Sequence, residues 1–356
     1  MKKILFLYTE LAGYMLACMK KLAAERDVEV HVIKYPVNSV APFQFSLEGK
    51  NLFFYERKNY SDEQLLELCI KMNPDLIFCS GWIDKGYLNI CNHFLGKIKT
   101  VMTLDNPWRN TIKQNIASLF GPLRLKKYFS HCWAAGMPQR TYALKLGFRT
   151  DAIKEGLYCC DYDYFYGQYL QFKESKEKSF PKKILFVGRY TKLKGVKEMW
   201  KAFELFQQKQ PNEWELWCLG KGEYDAEFPK HEKIKNFGFV QPGEMKKFIA
   251  ETGVFLLPAH YEHWGVVVHE FAAAGFPMIC STTTSAATKF LEDGKNGYFH
   301  EPKSVESLVE VFNKLLLDSP EKLSQMGALS AERAALITSD TWCDTAIEFL
   351  NENSKT

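Results

Sequence analysis

Val254-Phe255-Leu256-Leu257-Pro258-Ala259-His260-Tyr261-Glu262-His263-Trp264-Gly265-Val266-Val267-Val268-His269-Glu270 is the stretch from which the fold is most readily read. Four apolar residues stop at Pro258, which cannot donate to a sheet ladder, so Val254 to Leu257 reads as a buried strand. A loop carrying Glu262 follows, and Gly265 opens a helix, Val266 to Ala274, on which Glu270 lies. A buried strand, a loop and a helix in that order belong to βαβ units and a parallel sheet.

The same alternation extends outward on both sides. In the first half, strands are expected at Ile4 to Tyr8, Val28 to Lys34, Leu52 to Tyr55, Leu76 to Ser80, Thr100 to Leu104 and His131 to Ala134. A helix should start at Ser61, where Ser61-Asp62-Glu63-Gln64 has capping-box spacing. In the second half, strands are expected at Ile184 to Val187, Trp214 to Leu219, Val254 to Leu257 and Met278 to Cys280. Helices should lie near Val196 to Gln208, Gly243 to Ala250 and Val305 to Leu317. Residues 167–182 turn polar and lysine-rich and read as a linker between a first domain, 1–166, and a second, 183–335. A last helix over 336–356 is free to cross back to the first domain. With 356 residues, either half can bury a full core. The expected fold is therefore α/β, two Rossmann-like doubly wound domains facing a central cleft, where such folds place a nucleotide.

Composition narrows the function. The chain is 46% hydrophobic with a net charge of only +4, short of the basic footprint of a dedicated nucleic-acid binder, so no nucleic-acid partner is expected. Ten cysteines include no C-x2-C pair, which speaks against zinc or a redox dithiol and for a reducing, cytoplasmic setting. The run Ile4 to Tyr8 ends at Glu10 and reads as a first strand rather than a leader, and no stretch reaches the roughly 18 apolar residues of a membrane span.

Two segments carry the chemistry. Glu262 and Glu270 straddle a helix start at Gly265 and Val266, where free N–H groups and a partial positive charge suit hydroxyls or an anion. Phe186-Val187-Gly188-Arg189-Tyr190-Thr191-Lys192-Leu193-Lys194-Gly195-Val196 is a strand ending in glycine, a loop with Arg189 and Lys194, and a helix start. An arginine, a lysine and a helix amino end together offer fixed cations and N–H donors to an anion such as a phosphate. A metal is the competing reading of Glu262, His263, His269 and Glu270. The stretch from His269 to Ala273 fails the H-E-x-x-H pattern at its last position, and His263 and His269 point to different faces of any helix, so no metal is expected.

Glu262 and Glu270, with Gly265, Ala272, Gly275 and Pro277, resemble the E-x7-E motif of retaining GT-B glycosyltransferases of family GT4. The loop from Gly188 to Gly195 resembles the G-R-x4-K-G segment of the same family, and Ala12-Gly13 resembles its opening glycine-rich loop. The resemblance implies that Glu262 lies at the transferred sugar and that Glu270 holds the ribose. It implies further that Gly13, Gly188, Arg189, Lys194, Gly265 and Val266 line the donor. Leu219-Gly220-Lys221-Gly222 and Asn236-Phe237-Gly238 are similar to the family's glycine loops beside the base.

There are departures. Where relatives carry a histidine at the sugar, this chain has Leu104-Asp105-Asn106, which puts Asp105 beside Glu262 among the catalytic candidates. Ser281-Thr282-Thr283-Thr284-Ser285 replaces a glycine-rich loop. Asp161-Tyr162-Asp163 matches the metal motif of the other glycosyltransferase fold but lies at the end of the first domain and is discounted. The implied activity is retaining, metal-independent transfer from a nucleotide-diphosphate sugar, a co-substrate, to a saccharide or lipid-linked hydroxyl, in polysaccharide or glycolipid synthesis. A sugar-nucleotide 2-epimerase or a non-catalytic nucleotide-sugar binder shares the same shell.

One further stretch, 109–130, interleaves Arg109, Lys113, Arg124, Lys126 and Lys127 with Ile112, Ile116, Leu119, Phe120 and Leu123. It reads first as packing against the first sheet and second as a peripheral contact with an anionic membrane at its inner face. Pro122 is expected to interrupt any long helix there.

Overall fold

The structure is a computed structural model that describes residues 1–36 and 46–352. It divides into two units, Met1–Asp161 with Ser339–Thr356, and Tyr162–Thr338.

Among the described residues the first unit holds seven strands: β1 (Lys2–Tyr8), β2 (Val28–Lys34), β3 (Leu52–Glu56), β4 (Leu76–Ser80), β5 (Lys99–Leu104), β6 (His131–Ala134) and β7 (Ile153–Lys154). They form one parallel sheet in the order β3-β2-β1-β4-β5-β6-β7. The chain winds outward from β1, then crosses to β4 and winds the other way, so its topological switch point lies between β1 and β4. The intervening helices are α1 (Gly13–Glu25), α2 (Asp62–Met72), α3 (Lys85–Phe94), α4 (Ile112–Leu125) and α5 (Met137–Lys145). At the start of α2, Gln64 donates its N–H to the Ser61 hydroxyl and the Ser61 N–H donates back to the Gln64 side chain, the reciprocal cap expected from the spacing.

The last helix, Ser339–Asn351, completes the first unit's core. Its Trp342 ring lies 5.0 Å from Trp133 and 6.2 Å from Phe6, and its indole N–H donates to the Leu157 carbonyl. The Lys99 ammonium donates to the Phe349 and Glu352 carbonyls at this helix's carboxyl end, where a cation complements the helix dipole.

The second unit holds α6 (Tyr162–Lys178), β8 (Lys183–Val187), α7 (Val196–Lys209), β9 (Glu215–Leu219), β10 (Ile234–Gly238), α8 (Met245–Glu251), β11 (Val254–Leu257), α9 (Val266–Ala273), β12 (Met278–Ser281), α10 (Ala287–Phe290), β13 (Gly297–His300), α11 (Val305–Leu315) and α12 (Pro320–Ala334). Its sheet is also parallel, in the order β10-β9-β8-β11-β12-β13, with the switch point between β8 and β11.

Two expectations need correction. The stretch 167–182 is not a linker, because most of it belongs to the 17-residue helix α6. Tyr162, Phe165 and Gln168 give that helix a buried side, which Lys176 extends by lying over the Phe276 ring at 3.9 Å, while Glu174 and Glu177 are exposed. Pro122 does not end α4, which continues to Leu125. The proline loses the bond to the Ser118 carbonyl and crowds that carbonyl, and the helix nevertheless runs on for three more residues. The helix is seated against the turn at Gly147, where an added Cβ would come within 2.8 Å of the Pro122 ring.

Candidate functional site

The second unit gathers the predicted residues at its switch point. Gly188 follows β8 directly and donates its N–H to the Leu219 carbonyl at 3.0 Å, fixing the start of the loop that bears Arg189 and Lys194. That loop ends at Gly195, the N-cap of α7, with φ of +66°. A Cβ there would stand 2.2 Å from the Pro258 carbonyl oxygen, so only glycine lets the loop after β8 press against the loop after β11. The contact is reinforced by His260, whose N–H donates to the Leu193 carbonyl at 2.8 Å.

This closeness brings the Lys194 ammonium into an ion pair with the Glu262 carboxylate, both side chains less than one-fifth exposed. Glu262 is held in place through its backbone. Its N–H donates to the Thr283 carbonyl at 3.3 Å, and its carbonyl accepts from the Ser285 N–H and hydroxyl, each at 3.4 Å. The Ser281 hydroxyl donates to the Ala259 carbonyl at 2.5 Å, and that of Thr283 donates to the Ala259 and His260 carbonyls. The run from Ser281 to Ser285, notable in the sequence only as a departure, is thus the scaffold of the Glu262 loop.

Gly265, with φ of +90°, turns the chain into α9, and a Cβ there would stand 2.8 Å from the Glu262 side chain. No side chain caps this amino end, so the first-turn N–H groups at Val266 depend on other partners. Glu270 lies half-buried one turn further along α9. His269 beside it belongs to the core, stacked 4.2 Å from the Phe290 ring with its Nε2 3.0 Å from the Ala334 carbonyl. Among the described residues no group of three or more His, Cys, Asp and Glu side chains is arranged to hold a metal ion. The Arg189 side chain is exposed and makes no hydrogen bond or ion pair among the described residues.

Two neighbours escaped the sequence reading. His260 lies 3.0 Å from a Glu198 carboxylate oxygen, at an angle too poor for a hydrogen bond. His300, at the end of β13, is buried, and burial pushes its imidazole down to about 4. The Glu301 carbonyl opposes that fall and His260 adds to it. The only sequence signal for either was a histidine near a strand's end.

Gly13 and Asp105 belong to the first unit. Gly13 opens α1 beyond β1, at that unit's own switch point. Asp105 follows β5, half-buried, with the Tyr158 hydroxyl 3.5 Å from its carboxylate and the Gln139 amide donating to its carbonyl at 3.0 Å. Tyr158 packs edge-on to Tyr14 at 5.5 Å. Burial, with Tyr14 and Asp105 adding, raises its phenol well above the usual range, so it stays a proton donor.

Residues 168–333 match the model of the family described as glycosyl transferases group 1. An uncharacterized glycosyltransferase of Haemophilus influenzae is 24% identical over 172 residues, 47% of this chain and 47% of that protein. Another, of Methanocaldococcus jannaschii, is 27% identical over 144 residues, 38% of this chain and 36% of that protein. The chain thus spans less than half the length of these curated relatives in the aligned region. Among solved structures, Anabaena HepE in complex with UDP superposes with a TM-score of 0.74 over 98% of this chain and 99% of that one, at 16% identity. HepE in complex with UDP-glucose superposes with a TM-score of 0.72 at 17% identity. The likeness extends over both units and shows the GT-B fold.

Proposed function

Because residues 168–333 match the glycosyl transferases group 1 model in a chain with the GT-B fold, we propose that the protein transfers a glycosyl group from a nucleotide-diphosphate sugar to a hydroxyl acceptor, with retention of anomeric configuration. The observation that carries this reading is the Lys194–Glu262 pair at the switch point between β8 and β11, with the uncommitted Arg189 on the same loop. A donor diphosphate held by Arg189 and Lys194 leaves with its charge neutralised, so no divalent ion is required. Glu262, in contact with Lys194, then lies next to the diphosphate and faces the sugar attached to it. The uncapped amino end of α9 takes donor hydroxyls or phosphate oxygens, and Glu270 accepts from the ribose. The acceptor, saccharide or lipid-linked, attacks from the face the diphosphate leaves, and the departing phosphate oxygen takes its proton.

UDP-sugars are the first donors to test, since HepE is described in complex with UDP and UDP-glucose. A bound donor stabilises the native state by mass action, so a thermal-shift screen of nucleotide-sugars selects the ligand. Turnover of the selected donor, labelled in the sugar, is then followed by NMR in EDTA. Release or transfer of sugar with its anomeric configuration kept supports the proposal. Conversion to a 2-epimer, or binding without turnover, replaces it with an epimerase or a binding protein. Activity lost in EDTA and restored by magnesium or manganese overturns the metal-independent part.

A further inference from the structure

Helix α4 is built inside out for a helix on a protein surface. The residues it turns toward the first unit's core are small or few: Ala117 packs against the core cluster, Gly121 is buried, where an added Cβ would stand 3.0 Å from the Leu146 side chain, and Leu125 is buried. They follow one another at intervals of four and so share a face. The large apolar residues are on the other side. Ile112, Ile116, Leu119, Phe120 and Leu123 are 81%, 55%, 72%, 59% and 75% exposed. At about 100° per residue these five fall within an arc of about 100°, centred roughly opposite Gly121. A stable surface helix normally points such a stripe at the core, and a contiguous exposed one marks an interaction site.

The charges around the stripe indicate its partner. Arg109, Lys113, Arg124, Lys126 and Lys127 all lie within or just beside the helix and are exposed, and 109–130 contains no aspartate or glutamate. A protein partner is commonly met with charges of both signs around an apolar centre, whereas a stripe bordered by one sign alone matches a flat surface of the opposite sign with an apolar interior. We infer that α4 is a monotopic membrane anchor that lies in the plane of an anionic bilayer, its five apolar side chains in the acyl region and its cations among the headgroups. The helix is about 20 Å long, enough to seat the protein without spanning the bilayer. No described helix is long and apolar enough to cross a membrane. The inference concerns the first unit's surface and does not rest on the transfer reading.

The test uses the full chain with vesicles of phosphatidylcholine alone and of phosphatidylcholine with phosphatidylglycerol, at low and at physiological salt. Wild-type protein should co-sediment with the anionic vesicles, less at higher salt, and not with neutral ones. Replacing Arg124, Lys126 and Lys127 with glutamine should weaken binding by about fivefold for each charge, on the order of 100-fold together. Leu119→Ser with Phe120→Ser and Leu123→Ser should abolish it. These positions are exposed, so both variants should keep the wild-type melting temperature. Failure of wild-type protein to bind anionic vesicles at low salt overturns the inference, as does unchanged binding of the serine variant. A concentration-dependent dimer that the serine variant dissolves, without vesicle binding, would overturn it by giving the stripe to a second copy of the chain.

Discussion

Replacing Glu262 with glutamine should separate two effects of one carboxylate. In the structure that carboxylate holds the Lys194 ammonium, with both side chains less than one-fifth exposed. A nucleoside diphosphate bound to Lys194 would occupy the other side of the same ammonium, so the two anions would stand about 6 Å apart and repel by about 3 kcal/mol at an effective dielectric constant of about 20. Water reaching the pair roughly halves this. Glu262→Gln should therefore tighten the binding of UDP without its sugar by about 1–2 kcal/mol, roughly five- to thirtyfold. Turnover should move in the opposite direction. Positive charge develops at the anomeric carbon only in the transition state, and loss of a preorganised group facing it should lower kcat on the order of 10²-fold. Calorimetry with UDP and steady-state rates with the selected donor measure the two effects separately. A variant that loses diphosphate binding yet keeps its turnover would refute the placement of Glu262 at the sugar.

Glu270→Gln should do the reverse, weakening donor binding about tenfold with kcat little changed, because a ribose contact is the same in ground and transition states; a fall confined to kcat would count against that role. Gly195→Ala should destabilise the second unit by about 3 kcal/mol, since the new Cβ meets the Pro258 carbonyl at 2.2 Å in a left-handed backbone, and a wild-type melting temperature would contradict the loop contact. His300 titrates at about 4 when folded and near its ordinary value of 6.5 when unfolded. The unfolded chain therefore binds the extra proton first, and stability that is complete above pH 6.5 falls by up to about 3 kcal/mol as pH drops toward 4. In His300→Gln that part of the decline in unfolding free energy should flatten, and an identical pH profile in the variant would remove His300 as its source.

The elements that were legible are those whose local sequence matches their burial. Leu76 to Cys79 and Val254 to Leu257 are apolar runs buried on both faces, Val28 to Ile33 alternates valines with Glu29 and His31 before ending on Ile33, and all three strands lie where they were expected. The edge strands β7, β10 and β13 were missed. In β10 only Ile234 is buried, and β7 is two residues long, so neither has a continuous apolar run to read. The linker reading of 167–182 failed because composition was read in place of spacing: a lysine-rich stretch still forms a helix when a few residues at its start are anchored. The members of the second unit's site were named from motifs. That Lys194 and Glu262 meet, 68 residues apart, depends on two loops pressing together through Gly195, and no local pattern encodes that contact. Nor did sequence show which side of α4 faces the core, since that is decided by the small residues Ala117 and Gly121 and by what lies beneath them.

The membership of the helix Ser339–Asn351 in the first unit sets an order on folding during synthesis. Residues up to Asp161 leave the ribosome first, but the side of their sheet bearing Phe6, Phe78 and Trp133 has no Trp342 or Phe349 to cover it until the whole second unit has been made. At roughly 5–20 residues per second that interval lasts on the order of ten seconds or more. The second unit, continuous in the chain, can finish before the first. The nascent protein therefore carries that aromatic face uncovered by its last helix through about half of its synthesis, which makes it the natural place for a chaperone to bind and for premature termination to cause aggregation.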